Sequence, residues 1–464
     1  MNFNSMQYAL YLIIVCAVYY IFPQKIRYIW LLAASYFFYM QWNATYALLI
    51  LGVTAVTYIA ALLIEKGKGK KAVLAATIVI NLALMGYFKY TNFIIETVNS
   101  ISHGNIEPLD IILPVGISFY ILQALGYVID VYRGDVVAEI NPLRYALFVS
   151  FFPQLVAGPI ERSGNLVHQL REPKKLTSEA LLQGLIMIFY GLWTKVLIAD
   201  GISVLVTDVF KNYFRYYGLE IIFAAVLFAI QIYCDFYGYT IIAIGSAKLF
   251  GIDLMQNFKS PYMAKNVSDF WKRWHISLTS WFRDYVYIPL GGNRKGLART
   301  LINTLIIFSI SGLWHGAAWH FVLWGLLNGI FVCIERLLPK KWNSRILTFI
   351  LVDITWFLFR VESIAVIPEM FSEEFWGFRI YELFCWTGIN VHSPYASAIT
   401  LGVAIFIVFI VDYFRDKKGD LSLIFAKLPG IFQWLIIVFL VLTMFYYGNY
   451  GEEYANTAFL YFQF

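Results

Sequence analysis

Long apolar runs are the feature that most constrains the fold of this chain. Residues 28–64 contain no charged side chain over 37 residues, and only the polar turn Gln41-Trp42-Asn43 interrupts them. A helix needs about 20 apolar residues to cross a bilayer, so this stretch predicts two spanning helices and a tight turn. Similar runs recur along the 464 residues, of which 60% are hydrophobic and 14% charged, a composition outside the range of soluble domains. The sequence therefore predicts an all-α polytopic membrane protein with about ten to twelve transmembrane helices.

The charges of the loops predict an orientation in the membrane. The loop 65–71 carries four lysines, whereas the loop 89–110 carries one lysine and three acidic residues. Short basic loops remain in the cytoplasm, so the amino terminus is expected on the outer side. The net charge of +6 is then accounted for by cytoplasmic loops and does not indicate nucleic-acid binding. Four widely spaced cysteines without zinc-like spacing are interpreted as core residues: Cys16, Cys234, Cys333 and Cys385.

Two segments carry helix-breaking or charged residues at membrane depth. In the run Tyr145–Ile160, which has basic residues on both sides, Pro153, Gly158 and Pro159 break the helix. A broken helix inside a membrane must be sheltered by protein or by a water-filled cavity. We therefore predict a re-entrant segment, with a helix lying on the membrane surface as the alternative. Asp235, within a later apolar run, is expected to face the interior, where a structural and a functional carboxylate fit equally well.

A basic aromatic stretch, SDFWKRWHISLTSWFRDYVYIPLGGNRKG, precedes an apolar one with the sequence SGLWHGAAWHF. Residues 259–299 hold eight Lys or Arg and two acidic residues, a local charge of +6. On a helical wheel, the first stretch places its large rings on one arc and Lys272, Arg273 and Arg283 opposite. This pattern predicts a helix lying in the membrane interface, with its rings toward the acyl chains and its cations toward the cytosol. His275 falls at the edge of the apolar arc and is either catalytic or a structural interfacial residue.

A glycine-rich loop follows this helix and adds further candidate binding residues. Exposed amide N–H groups next to cations suit phosphate oxygens, so the loop and the basic face are candidates for binding the phosphates of coenzyme A. A basic glycine turn is equally expected as a cytoplasmic anchor between membrane helices. The loop residues concerned are Gly291, Gly292, Asn293 and Arg294.

His315 is the strongest candidate for chemistry. It lies at membrane depth among small residues such as Gly316, and Trp314 and Trp319 would wall a cavity around it. A titratable ring at that depth indicates a function, and a neutral imidazole there would serve as a general base toward a hydroxyl. The alternative is a histidine that hydrogen-bonds two helices beside a small-residue packing seam. No H-x-x-x-H motif or carboxylate cluster accompanies the histidines, so no metal site is predicted.

These motifs resemble those of the membrane-bound O-acyltransferase family, MBOAT. The resemblance rests on LPVGISFYILQALGYVIDVYRG, FFPQLVAGPIERS, the two stretches quoted above and the terminal YFQF. The branch that the chain resembles contains the bacterial alginate and peptidoglycan O-acetyltransferase membrane subunits, related to the D-alanyl transfer protein of teichoic acid synthesis. It implies one MBOAT domain over residues 1–464 of a bacterial inner-membrane protein, with re-entrant and interfacial helices around a tunnel lined in part by Pro159. Within that domain we expect amino-terminal spans (1–110), a motif-bearing core (111–335) and carboxy-terminal spans (336–464).

The resemblance also implies an activity. An acyl thioester, on this branch acetyl-CoA as a co-substrate and not a bound cofactor, is presented in the cytoplasm. The acyl group then leaves to a hydroxyl of an extracytoplasmic polysaccharide or of a separate SGNH-hydrolase-like acetyltransferase. His315 corresponds to the family's WHG-type histidine and His275 to its second histidine.

Three other functions remain open at this point, and one of them is a non-catalytic membrane anchor for the secreted partner. D-alanyl transfer to teichoic acid would use the same kind of site. A glycan transporter or flippase would also suit broken helices and buried polar groups, although the absence of an internal repeat speaks against it. Membrane lipids are expected to surround the chain in each case.

Overall fold

Helices make up the regular structure of the chain in the computed structural model. It describes residues 1–67, 69–156, 158–172, 174–339, 343–371, 376–379 and 394–448, with side chains from 398 onward in the last range, and none of these residues forms a strand. The chain forms two compact units: unit 1 comprises residues 1–181 and 246–255, and unit 2 comprises residues 182–245 and 256–464. Cys385 and the terminal YFQF motif lie outside the described residues. The division of the chain at 110 and 335 stays a prediction.

The long uncharged run forms two helices and a turn in unit 1, as predicted, but only the second helix, Tyr46–Glu65, is among the described helices long and apolar enough to cross a membrane. Residues 27–40 and 46–65 are helical, and the polar turn lies between them. The first helix of the chain begins where the Ser5 hydroxyl accepts a hydrogen bond from the backbone N–H of Tyr8 at 3.1 Å, the usual arrangement of an N-cap. The helices of unit 1 are α1 (Met6–Ile21), α2 (Arg27–Met40), α3 (Tyr46–Glu65), α4 (Lys70–Ser102), α5 (Ile117–Arg133), α6 (Pro142–Ser150), α7 (Phe152–Leu155) and α8 (Ser163–Arg171).

The segment with three helix breakers is buried within unit 1. Helix α6 ends at Ser150, because Phe151 leaves the helical conformation (φ −52°, ψ 110°), and α7 has only four residues. Phe151 and Phe152 are 0% exposed. Gly116, at φ 75°, allows the chain before α5 to approach closely: a Cβ there would lie 2.7 Å from the carbonyl oxygen of Leu155. The broken helix is therefore sheltered by protein, as predicted, and the alternative of a surface helix was wrong.

Unit 2 holds most of α9 and α11 and the helices between and after them. Within the described residues, eight helical segments are long and apolar enough to cross a membrane. They include both arms of the segment 300–335, which lies between two basic loops in the sequence and is therefore expected to cross twice or to re-enter. The helices are α9 (Ser178–Trp193), α10 (Asp200–Lys211), α11 (Gly218–Lys248), α12 (Val267–Arg273), α13 (Ile276–Phe282), α14 (Gly296–His315), α15 (Trp319–Leu337), α16 (Arg345–Arg360), α17 (Ile367–Met370), α18 (Pro394–Lys418), α19 (Leu421–Ala426) and α20 (Gly430–Tyr447).

A buried ion cluster changes the predicted path of α9 and α10. Hydropathy predicts that a span ends at Ile198 and that an outer segment begins at Asp200, but a π-helical turn, Thr194–Ala199, joins the two helices without a break. Lys195 Nζ lies 2.5 Å from Oδ1 of Asp200 and 2.6 Å from Oδ1 of Asp235, and all three side chains are at most 5% exposed. Pairing offsets the cost of burying these charges. The helix therefore continues past Ile198 instead of ending there, whereas Asp235 faces the interior as predicted.

Glycines bring α9 and α11 into backbone contact within unit 2. A Cβ on Gly191 would lie 2.6 Å from the carbonyl oxygen of Gly238, and one on Gly245 would lie 2.7 Å from that of Gly184. Small residues are the usual means by which membrane helices approach closely. The contact fixes the position of α11, from which Phe236 reaches the candidate site.

Candidate active site

The aromatic stretch predicted as one interfacial helix is two short helices with His275 between them. Helix α12 ends at Arg273 and α13 begins at Ile276, while His275 adopts a left-handed conformation (φ 44°, ψ 52°). That conformation costs an L-residue roughly 1–2 kcal/mol, so contacts elsewhere must hold it. The rings face the protein interior, since Phe270 and Trp274 are each 1% exposed. The prediction of a continuous helix with its rings in the acyl chains was therefore wrong.

Asn257 holds the break at His275. Its backbone carbonyl oxygen accepts the N–H of Ile276 at 2.9 Å, and its Oδ1 accepts the N–H of Ser277 at 3.2 Å and the Ser277 hydroxyl at 2.6 Å. Asn257 is 0% exposed, and a buried hydrogen bond is costly to leave unmade. These three bonds therefore stabilise the turn that aims the imidazole. Sequence reasoning missed Asn257, because no local pattern marks a residue whose partner lies 20 positions away.

His315 is the last residue of α14, in a hairpin whose helices touch through glycines. A Cβ on Gly312 would lie 2.2 Å from the carbonyl oxygen of Phe321, and one on Gly325 would lie 2.2 Å from that of Phe308. The small residues near His315 thus serve helix packing, which was the alternative explanation for that pattern. They also leave His315 at the end of α14 with an exposed fraction of 4%.

Helix α12 is anchored on α15 at two points. Trp271 Nε1 donates to Oδ1 of Asn328 at 3.2 Å, and Asn328 Nδ2 donates to the carbonyl oxygen of Trp324 at 2.8 Å. At the start of α12, Glu335 accepts the backbone N–H of Ser268 at 3.0 Å and its hydroxyl at 3.1 Å. A carboxylate at a helix amino end satisfies backbone donors that lack partners within the helix. These contacts bring the two candidate histidines into one cluster.

His275 and His315 have ring centroids 6.4 Å apart, about two hydrogen-bond lengths. Trp314 lies 6.1 Å from the first ring and 5.0 Å from the second, and Trp324 lies 4.9 Å from His315. His275 is 1% exposed. The sequence predicts His275 in a cytoplasmic interfacial helix, apart from the buried His315. The structure places both rings in a single buried aromatic cluster instead, because α12 docks on the hairpin.

A cavity of about 430 Å³ in unit 2 joins exposed cations to His275. Lys272, Arg283 and Arg336 line it and are exposed, whereas His275 lines it and is buried. Exposed cations and mixed apolar and hydroxyl walls suit a ligand with an anionic group and a longer, less polar arm. The hydroxyl-bearing residues that line the cavity are Ser268, Thr279, Ser280, Tyr287, Thr304 and Ser311.

Two of the predicted donor-binding cations differ in their surroundings. Arg273 Nε lies 3.0 Å from Oδ1 of Asp269, its Nη1 lies 2.5 Å from Oδ1 of Asp416, and it is not among the residues that line the cavity. Arg283 lines the cavity and pairs with its neighbour Asp284 at 2.7 Å. Arg273 thus ties α12 to α18, and Arg283 is placed to meet a ligand.

The N–H groups of the glycine turn donate hydrogen bonds to carbonyl oxygens of the same segment. Gly291 and Gly292 have φ values of 106° and 57°, and their N–H groups donate to carbonyl oxygens of the preceding turn at 3.0 and 2.9 Å. The N–H of Arg294 donates to the carbonyl oxygen of Gly291 at 3.2 Å. Asn293 and Arg294 are exposed. The turn can therefore offer a phosphate the side-chain charge of Arg294, whereas the N–H groups of Gly291, Gly292 and Arg294 are already hydrogen-bonded. Phosphate binding at this turn stays a prediction.

The four residues predicted to line a tunnel lie in different surroundings. Trp314 and Gly316 are buried, and a Cβ on Gly316 would lie 2.0 Å from the ring of Phe321. Trp319 is 55% exposed, and Pro159 is buried in unit 1. None of the four is among the residues that line the 430 Å³ cavity. Their part in a tunnel stays a prediction.

Burial sets the protonation state of His275. It lowers the pKa of the imidazole to about 3, because a charged ring loses its hydration in an apolar environment. The ring also packs edge-on against Phe236, with centroids 4.8 Å apart. His275 is therefore neutral at physiological pH and can offer one donor and one acceptor but no charge.

A network from α18 also holds the segment that carries Asn257, and sequence reasoning missed it. Arg415 is 5% exposed, with Nη1 2.9 Å from Oδ1 of Asp412 and Nη2 3.0 Å from the carbonyl oxygen of Phe258. The Ser260 hydroxyl donates to the carbonyl oxygen of Asp412 at 2.8 Å. A cation at the end of an apolar run is expected in a cytoplasmic loop, so its burial left no signal in the sequence.

Comparison with known proteins shows to which class the chain that carries these two histidines belongs. A profile described as "MBOAT, membrane-bound O-acyltransferase family" matches residues 136–343, a range that contains both. "Probable alginate O-acetylase AlgI" of Pseudomonas putida is 36% identical over 431 residues, which cover 88% of this chain and 87% of that protein. "Peptidoglycan O-acetyltransferase" of Helicobacter pylori is 35% identical, covering 72% and 71%. "Teichoic acid D-alanyltransferase" of Bacillus subtilis is 27% identical over 256 residues, covering 51% and 62%.

The helical fold and these relatives define a multi-pass membrane enzyme that transfers acyl groups to oxygen. The chain belongs to the membrane-bound O-acyltransferase family. The resemblance noted in the sequence is thereby confirmed, as are the all-α polytopic fold and the assignment as an O-acyltransferase.

Proposed function

We propose that the chain transfers an acetyl group from cytosolic acetyl-CoA, across the membrane, to a hydroxyl of an extracytoplasmic polysaccharide or of a partner acetyltransferase. The observation that carries the proposal is the buried pair His275 and His315, 6.4 Å apart, with His275 lining a cavity that exposed cations also line. The names of the relatives, alginate O-acetylase and peptidoglycan O-acetyltransferase, support an acetyl group and a polysaccharide acceptor.

His315 acts as the general base in this mechanism. Its imidazole takes the proton of the acceptor hydroxyl while the hydroxyl oxygen attacks the carbonyl carbon of the thioester. A C–O bond forms, the C–S bond breaks, and the proton passes to the leaving thiolate, so that coenzyme A departs as the thiol. The exposed fraction of only 4% keeps bulk water from hydrolysing the thioester. Holding both reactants at one point converts a bimolecular meeting into a local reaction.

The cavity serves as the donor site. Lys272, Arg283 and Arg336 would bind the phosphates of coenzyme A by charge-assisted hydrogen bonds, and the mixed walls would take its long arm. His275, neutral because its pKa lies near 3, would position the thioester carbonyl through a hydrogen bond. Ser311 lines the cavity and lies one helical turn before His315, the proposed base.

The acceptor approaches from the opposite side of a bacterial inner membrane, with the amino terminus outside. The basic segment 65–71 and the acidic segment 89–110, of which residues 89–102 lie in α4, support that orientation. A separate SGNH-hydrolase-like acetyltransferase would receive the acetyl group or complete its transfer to the polymer.

Replacing His315 by Ala tests the base. Acetyl transfer should fall roughly 10²–10⁴-fold, the usual contribution of a positioned base, while the amount of protein in the membrane stays the same. The measurement is the transfer of label from acetyl-CoA to polymer in inverted membrane vesicles that contain the acceptor system. His320→Ala is the matched control. His320 packs on Phe321, with ring centroids 4.1 Å apart, and has no part in the proposed mechanism, so this variant should retain activity. Full activity in His315→Ala would rule out the assignment.

D-alanyl transfer is the second candidate, favoured by the likeness to a teichoic acid D-alanyltransferase. The same assay separates the two functions. Label from a D-alanyl thioester, with none from acetyl-CoA, would replace the acetyl proposal. Movement of intact glycan without either label would indicate a transporter.

A further inference from the structure

A second cavity, of about 400 Å³, lies within unit 1 and takes no part in the proposed acyl transfer. The side chains that line it include five cations and one carboxylate. A concave site with that balance of charge attracts an anion. The charged residues are Lys25, Arg27, Arg144, Arg171, Lys174 and Glu172.

Arg27 is held rigidly at this cavity. Its Nε donates to the carbonyl oxygen of Phe22 at 3.0 Å and its Nη1 to that of Lys174 at 2.8 Å. The guanidinium also lies over Tyr19 and Tyr20, 5.0 and 5.1 Å from the ring centroids. These groups are uncharged, so they fix the cation without neutralising it. A pre-organised guanidinium loses little further freedom when it binds an anion.

Glu139 orients two more of the cations. Its carboxylate lies 3.3 Å from Nη1 of Arg144 and 2.8 Å from Nη2 of Arg171, and its side chain is 4% exposed. Arg144 also lies over Tyr28, 5.2 Å from the ring centroid. With Glu139 and Glu172 set against the five cations, a net charge of +3 remains at the cavity.

The surroundings of the cavity favour a lipid over a soluble anion. Ile21, Ile26 and Ile29 are 77%, 41% and 41% exposed and are close in sequence to two of the cations. In a membrane protein, such a face meets acyl chains. Tyr19 and Tyr28 line the cavity itself, and tyrosines are enriched at the level of lipid headgroups.

We propose that this cavity binds the phosphate headgroup of an anionic phospholipid such as phosphatidylglycerol, with the acyl chains lying along the exposed isoleucines. Basic pockets at the cytoplasmic ends of membrane helices are suited to such headgroups. The lipid would connect the end of α1, the start of α2 and the segment after α8 within unit 1. The site is independent of the proposed function, because its test requires no acyl transfer.

Native mass spectrometry of the purified full-length protein tests the proposal. Phosphatidylglycerol should bind at least about ten-fold more tightly than phosphatidylcholine with the same acyl chains. The double variant Lys25→Gln, Lys174→Gln should weaken phosphatidylglycerol binding about 25-fold, since each cation near a membrane surface contributes about five-fold. Phosphatidylcholine binding should not change. Lys25→Gln alone, at an exposed position, should give about a five-fold loss and keeps the test valid if the double variant misfolds.

The matched control is Lys66→Gln with Lys70→Gln, which removes the same charge from the loop between α3 and α4. Neither lysine lines the cavity, so binding should equal that of the wild type. An equal loss in this control would overturn the proposal, because the effect would then be one of total charge. Inorganic phosphate that binds as tightly as the lipid would also overturn it, since acyl chains would contribute nothing. Absence of any preference for the anionic lipid has the same consequence.

Discussion

Among single residues, His275 combines backbone strain with a neutral buried ring. Its left-handed conformation (φ 44°) is one that Asn adopts more readily than most residues. Asn therefore replaces the side chain at this position with little change in the turn, whereas Ala adds a backbone penalty. The loss of chemistry can thus be separated from the loss of the fold.

His275→Asn should lower acyl transfer roughly 10²-fold while leaving the pH profile of kcat/KM between pH 5 and 8 unchanged in shape. The reason is that the pKa of His275 lies near 3, so the ring does not titrate in that range. The variant should also be less sensitive to acid. A folded-state pKa below the ordinary 6.5 gives stability that is present above pH 6.5 and lost as the pH falls toward 3.

Thermal denaturation of wild type and variant between pH 7.5 and 4.5 measures the second effect. The melting temperature of the wild type should fall more steeply below pH 6.5. Disappearance of an ionisation from the activity profile of His275→Asn would show that His275 carries a proton during turnover, contrary to the neutral role.

At the scale of elements, the α14–α15 hairpin determines where His315 lies. Gly325→Ala would place a Cβ 2.2 Å from the carbonyl oxygen of Phe308, so the two helices must separate. Overpacking of this kind costs about 1–3 kcal/mol, and displacement of His315 should reduce activity at the same time. The melting temperature in detergent and the labelled acetyl assay give the two readouts.

Gly52→Ala provides the control for this substitution. Gly52 lies in α3, and a Cβ there would have no described atom within 4 Å. An alanine at an open helical position is neutral or stabilising by about 0.5–1 kcal/mol. If Gly325→Ala behaved like Gly52→Ala, glycine packing would not control the position of His315.

Hydropathy predicted the elements whose burial follows from their own sequence. The hairpin α2–α3, the arms of α14–α15 and the sheltered break near Pro153 all follow from apolar runs and helix breakers. The predictions were wrong where a contact with a residue distant in sequence determines the local structure. Asp200 continues its helix because Lys195 pairs with it and with Asp235, and the aromatic stretch breaks because Asn257 stabilises the turn at His275.

The same distinction applies to the candidate site. His315 was proposed from residue type and depth, because a buried titratable ring is informative on its own, whereas His275 was proposed from its motif. Their proximity was not predicted, since it depends on the docking of α12 through Asn328 and Glu335. Arg273 was predicted as a donor-binding residue from its place on a basic face, and that stays a prediction, but its guanidinium pairs with Asp269 of the same helix and with Asp416 of α18.

At the scale of the whole molecule, loop charge predicts which ends of the helices face the cytoplasm. Single cysteines at Lys70 and Asn105 test this in spheroplasts with a membrane-impermeant thiol reagent. Asn105→Cys should be labelled in intact spheroplasts, and Lys70→Cys only after permeabilisation, because the lysine-rich loop stays inside. The unsubstituted protein measures the background from native cysteines. The opposite pattern would place the amino terminus in the cytoplasm.

The hydrogen bonds between α18 and the segment that carries His275 can form only late in the synthesis of the chain. Arg273 bonds to Asp416 across 143 residues, and Ser260 bonds to Asp412 across 152. Membrane insertion proceeds from the amino end as the ribosome elongates the chain. A nascent chain that has just exposed His315 therefore lacks the residues that fasten the turn at His275. A chain that ends before α18 lacks these bonds, and we therefore expect it to be inactive.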